Sequence, residues 1–115
     1  MVDVETLKFI IEKKGKLNLK VSGRSMIPLL KENDEILLSP LKNLKRFDLI
    51  AFSSKGQIVC HYFWGENNKD LLTRPLNPIG SFDFPIETEQ IIGKVENVRI
   101  SIFLKFKIFM RDLFV

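Results

Sequence analysis

Val4, Leu7, Ile10 and Ile11 recur at spacings of three and four with charged residues between them. That is the period of a short amphipathic helix packed on a core by one face, and Gly15 stands where such a helix would stop. From Leu17 onward the pattern changes to short apolar runs punctuated by Gly, Pro, Asn and Asp, which predicts strands at roughly 17–22, 35–39, 48–53, 57–64, 69–73 and 90–98. Segment 74–89, RPLNPIGSFDFPIETE, holds three of the five prolines and a glycine, so it is expected to be a loop lying over the sheet.

The last stretch differs from both. Ile102, Phe103, Leu104, Phe106, Ile108, Phe109, Met110, Leu113 and Phe114 surround Lys105, Lys107 and Arg111, too apolar for an ordinary tail. Three roles are open to residues 99–115: a terminal helix docked on the domain, a basic amphipathic segment in peripheral contact with a membrane, or an oligomer contact covering an apolar patch. Nothing approaches the roughly 18 consecutive apolar residues of a spanning helix. The N-terminal stretch places Asp3 and Glu5 before a short apolar run with no small-residue cleavage site, so it does not read as a secretory signal. The expectation is a cytoplasmic chain, at the membrane surface if the tail lies in an interface.

With 115 residues there is room for one domain: a helix over 1–16, a β-rich body over 17–98 and the apolar basic segment over 99–115. The formal charge of +4 comes from Lys and Arg scattered singly, with no basic block to track a phosphate backbone, so nucleic acid is not an expected partner. Cys60 is the only cysteine, which rules out an internal disulfide and a multi-cysteine metal site. The oligomeric state stays open.

Candidate chemistry centres on Val21–Leu30, VSGRSMIPLL, where a strand runs into a glycine turn and then a serine limited by Pro28. Such a corner can expose a hydroxyl, and Gly23 would let a substrate backbone come close. Taken alone, a serine in a glycine turn is usually a turn residue and a lone histidine in an apolar strand usually a structural one.

SGRSMIPLL resembles the Ser-Met-x-Pro box of type I signal peptidases, which are related to the peptidase half of LexA-type repressors. Further boxes follow in the family's order. Asn33-Asp34-Glu35-Ile36-Leu37-Leu38 and Arg46-Phe47-Asp48-Leu49-Ile50-Ala51-Phe52 resemble its two Gly-Asp boxes and their strands. Ile58-Val59-Cys60-His61-Tyr62-Phe63 stands in place of the strand bearing the general base, and Ile91-Ile92-Gly93-Lys94-Val95 resembles the closing Ile-x-Gly-Lys-Val strand. The resemblance covers residues 17 to about 98 and implies a mainly β fold of coiled, partly barrel-like sheets. Bacterial members commonly use a lysine base, whereas endoplasmic-reticulum and archaeal-type members carry a histidine, as His61 does here.

The resemblance therefore implies a serine endopeptidase acting on a peptide or precursor protein, with Ser25 as nucleophile and His61 as general base. The substrate would lie extended beside the strand following Ser25, with small side chains near the cleaved bond. The backbone N–H of Ser25 is the natural first oxyanion donor, Ser22 or Arg24 a second, and Gly23 and Met26 complete the substrate-binding positions. An acid to orient the histidine is expected in the loop after the base strand, Asp83 first and Asp70 behind it. Leu76 stands where relatives have an acid, so a Ser–His dyad and a Ser–His–Asp triad both remain open. Asn33 and Phe47 replace the family's glycines, and Asp34 and Asp48 are expected to be turn residues. Cys60 is the weaker candidate nucleophile, because strand neighbours point to opposite faces and it cannot readily share a site with His61. No metal or cofactor is implied.

The layout predicts neither the N-terminal anchor of signal peptidases nor a repressor's helix-turn-helix ahead of the serine box, and looks like the compact stand-alone bacterial members. The rival reading is a catalytically silent peptide-binding module, or a membrane-surface adaptor, on the same fold.

Overall fold

A computed structural model describes residues 3–21, 23–79 and 81–113. Helix α1 (Val4–Lys14) begins at Asp3, whose carboxylate accepts the Thr6 N–H (3.3 Å) and hydroxyl (2.7 Å). It ends where predicted: Gly15 takes φ of 81° and donates its N–H to the Ile11 carbonyl at 2.7 Å.

Six strands follow: β1 (Leu17–Lys20), β2 (Glu35–Ser39), β3 (Leu49–Ser54), β4 (Gln57–Asn67), β5 (Asp70–Arg74) and β6 (Ile91–Val95). They form one antiparallel sheet in the order β1-β2-β6-β3-β4-β5. The expected mainly β architecture is present, as an open sheet edged by β1 and β5 and not closed into a barrel. β6 stops short of the expected 98 because Asn97 turns its side chain onto β2, accepting the Leu37 N–H at 2.9 Å and donating to the Glu35 carbonyl at 3.4 Å.

Alternation along the strands sorts the core into two layers. Ile36, Leu38, Leu49, Ala51, Cys60, Tyr62 and Val95 meet Ile11 of α1 on one face, while Ile50, Phe52, Phe63, Leu71 and Ile91 meet Ile86 of the 74–89 loop on the other. At Gly93 a side chain is excluded outright, since a Cβ would lie 2.7 Å from the Ser39 carbonyl oxygen.

Two turns of the same construction lead into β2 and β3. Asp34 and Asp48 each accept the N–H of the residue three before, Lys31 and Lys45, at 2.8 Å through Oδ2. The residues just ahead of them, Asn33 and Phe47, have φ of 71° and 78°. These are the positions where the family has glycine, and the backbone keeps the left-handed shape. Asn adopts it readily; for Phe it costs on the order of 1–2 kcal/mol. The offset is in the ring, which stacks on Tyr62 at 5.8 Å and meets Trp64 and Phe109 edge-on, both at 5.7 Å.

Phe109 belongs to α2 (Ile102–Leu113), so the first of the three roles open to the tail describes how it sits: a terminal helix docked on the domain. Ser101 caps its start, accepting the Leu104 N–H on Oγ at 3.2 Å. Ile108 is fully buried, and Asp112 receives both terminal nitrogens of Arg74 at 3.0 Å each. Arg74 is itself fully buried, stacked over Trp64 and Phe82 at 4.4 Å. Among the described residues no helix is long and apolar enough to cross a membrane.

The two hydrogen bonds from Arg74 hold the Asp112 carboxyl below the usual carboxylate range. A depressed carboxyl stabilises the fold above its unfolded value of about 4, and that contribution disappears as pH falls through the lower folded value. Asp112→Ala is therefore expected to lower the unfolding free energy at neutral pH by about 1 kcal/mol, because the partly exposed carboxylate is screened by solvent. Denaturant titrations followed by Trp64 fluorescence should show the gap between the two proteins closing below about pH 4.

Candidate active site

The site is built where β4 loses its outer neighbour. β5 pairs with β4 as far as Tyr62↔Arg74; the next residue is Pro75, which has no N–H to donate, and the ladder ends. Into that place comes the loop between β1 and β2, closed at its base by Val21 bonded to Asn33 and Asp34 at 2.9 Å each. Met26 and Leu30 anchor it in the core, and the Asn77 N–H donates to the Ser25 carbonyl at 2.8 Å. Gly23 turns the loop at φ of 92°, and Ser25 is left half-buried.

His61 lies on β4 opposite Ile50, with 8% of its surface exposed and the Phe52 ring edge-on at 5.8 Å. Its Nε2 is 2.8 Å from Ser25 Oγ and its Nδ1 2.5 Å from Asp83 Oδ2. Asp83 is fixed from β5 twice over: its N–H donates to the Thr73 carbonyl at 3.0 Å, and its Oδ2 accepts the Thr73 hydroxyl at 2.6 Å. Thr73 pairs with Phe63, so it shares His61's face of the sheet, one diagonal step away.

An ionised carboxylate only accepts, so the Asp83 contact selects the tautomer in which Nδ1–H donates to it. Nε2 is then an acceptor, and the Ser25 hydroxyl donates to it. This is the arrangement in which an imidazole can take a hydroxyl's proton while a carboxylate steadies the resulting positive charge.

Of the residues singled out from the sequence, Ser25, His61 and Asp83 are brought together. Leu76, which stands in place of the family's acid, is buried in the core, and Asp83 is the carboxylate in contact with His61. Asp70 is not brought in. It pairs with Asn67, six residues along β4 from His61, or about 20 Å at strand spacing. Gly23 and Arg24 are exposed beside Ser25, Met26 is buried beneath it, and Ser22 lies outside the described residues.

Val21, Gly23, Ser25, Met26, Leu30 and Cys60 enclose a cavity of ≈ 10 Å³ next to the hydroxyl. Cys60 faces it from the side of β4 opposite His61, and burial pushes its thiol up to about 12, so it stays a neutral thiol at ordinary pH. Sequence reasoning missed Thr73 as the support of Asp83 and Asn77 as the support of Ser25. Neither carried a clear signal: Thr73 reads as an ordinary residue of the predicted strand 69–73, and Asn77 acts through its backbone.

The family model described as Peptidase S24-like matches residues 2–96, and the chain belongs to that family, within the LexA and signal-peptidase superfamily of serine peptidases. Ser25, His61 and Asp83 fall inside the matched span, and α2 lies beyond it. No curated protein matches the chain.

A proton held between an imidazole nitrogen and a carboxylate this close resonates far downfield of the amide envelope. Proton NMR should show one such signal in the wild type and in Ser25→Ala, and none in His61→Ala or Asp83→Ala. Thr73→Val, which removes one of Asp83's two supports, should broaden it.

Proposed function

We propose that this protein is a serine endopeptidase cleaving peptide or precursor-protein substrates, with Ser25 as nucleophile, His61 as general base and Asp83 orienting and stabilising the imidazole. The observation that carries the reading is the unbroken series of contacts: Ser25 Oγ to His61 Nε2 at 2.8 Å, and His61 Nδ1 to Asp83 Oδ2 at 2.5 Å. Ser25 Oγ gives its proton to Nε2 as it attacks the scissile carbonyl. The Ser25 N–H donates to the oxyanion, and Asp83 stabilises the imidazolium without taking the proton. Nε2 then protonates the leaving amine, and water repeats the sequence on the acyl-enzyme. Leu76 in place of the family's acid does not favour a silent module here, because Asp83 supplies a carboxylate at Nδ1.

The substrate's path differs from the sequence expectation. β2, the strand following Ser25, is paired with β1 on one side and engaged by Glu96 and Asn97 on the other, so it offers no edge. The described strand pairs leave β4 from Gln57 to His61 without a neighbour on the Ser25 side, and an extended peptide would add there by main-chain hydrogen bonds. The adjoining cavity of ≈ 10 Å³ holds about one water-sized group, which favours an alanine, serine or glycine side chain before the cleaved bond.

Incubation with a diverse peptide library, with new termini mapped by mass spectrometry, tests this. Cleavage after small residues is expected, with rates falling by at least about 10³-fold in Ser25→Ala and His61→Ala and by about 10²–10⁴-fold in Asp83→Asn. Peptide binding without cleavage in the unaltered protein would establish the silent module instead.

A further inference from the structure

A helix docked on a domain ordinarily hides its apolar side, and α2 does the reverse. At about 100° per residue, Ile102, Phe103, Phe106, Met110 and Leu113 fall within an arc of about 100°. That arc faces outward, with Ile102 83%, Phe103 71% and Leu113 74% exposed. Inward the helix spends Ile108, half-buried Leu104, the edge of Phe109 against Phe47 and Trp64, and the Asp112 pair with Arg74. The apolar strip continues onto Ile79, which with Phe103, Phe106 and Met110 lines a groove of ≈ 510 Å³. Beyond it, Phe82 and Phe84 are exposed on either side of Asp83.

The charges around this strip identify what covers it. Lys107 and Arg111 flank it on one side and Lys105 on the other, as for a helix lying flat in a bilayer interface with its cations reaching the headgroups. Residues 99–115 carry four basic side chains against one acid, three of the chain's four net positive charges, and the acid, Asp112, is turned inward. On the Lys105 side a cleft of ≈ 470 Å³ that includes Arg99 adds Lys45, Arg46 and Lys94 against Asp48 and Glu96, with Asp48 already paired to Lys94. A symmetric pairing of two copies would bring like patches, each with a net positive charge, together.

We infer that the outer face of α2 is a docking surface for an anionic lipid membrane. The docked helix and the membrane-interface segment are then one arrangement, anchored inward through Arg74 and Ile108 and wetted by lipid outward.

The test is flotation of the full chain with phosphatidylcholine vesicles containing phosphatidylglycerol, against phosphatidylcholine alone, at low and high salt. Binding is expected to be at least about tenfold stronger to the anionic vesicles and to weaken with salt. Phe103→Glu/Phe106→Glu should abolish it while leaving thermal unfolding and Trp64 emission unchanged, since both side chains point away from the core. Ser25→Ala should bind like the wild type, which separates this inference from the peptidase reading. Equal binding by the double glutamate variant would overturn the inference. So would absence of vesicle binding together with a dimer in light scattering that the same variant dissociates, since a second copy would then be the occupant.

Discussion

Consecutive side chains of a strand leave its sheet on opposite faces, and along β4 that alternation joins the chemistry to the rest of the molecule. His61 points to one side and Tyr62 to the other. β5 repeats the division: Thr73 supports Asp83 on the histidine's side, while Arg74 crosses to the far side, lies over Trp64 and reaches Asp112. The loop beyond repeats it a third time, with Phe82 over Arg74 and Asp83 at His61. Three pairs of sequence neighbours thus span the sheet, and the backbone alone joins the α2 contacts to the site, since no side chain of α2 touches the three site residues in the described contacts.

Pairing also decides where the site can be. β4 is eleven residues long and β5 five, and Pro75 ends their ladder one residue before His61 would be paired. A β5 extended by one bonded residue would occupy the edge that the serine loop and a substrate need. The bulge between Phe63 and Gly65 adds a second irregularity, freeing the Trp64 carbonyl to accept Arg46 Nε at 2.7 Å while the same guanidinium covers the indole ring.

Much of this was legible in the sequence. Strand positions, the helix stop at Gly15 and the roles of Asp34 and Asp48 follow from local rules, because each depends on residues within one turn or one strand. Ser25 and His61 emerged through a resemblance spread over five boxes, and Asp83 through its place in the loop after the base strand. What remained hidden is what joins residues far apart in the chain. Arg74 and Asp112 are 38 positions apart, and neither looks unlike a surface charge in sequence. The left-handed backbone at Phe47 was equally obscure, since nothing local favours it and only packing against Tyr62, Trp64 and Phe109 offsets its cost. The tail's apolar character was plain, but not that it could be docked and exposed together.

The central claim is that His61, steadied by Asp83, makes the Ser25 hydroxyl nucleophilic. A fluorophosphonate reads this directly, because a serine oxygen displaces its fluoride to form a stable phosphonyl ester, and tandem mass spectrometry locates the added mass. Labelling is expected at Ser25 alone in the wild type, and none in folded His61→Ala. Labelling of Ser25 at an equal rate without His61, or no labelling of the wild type, would contradict it.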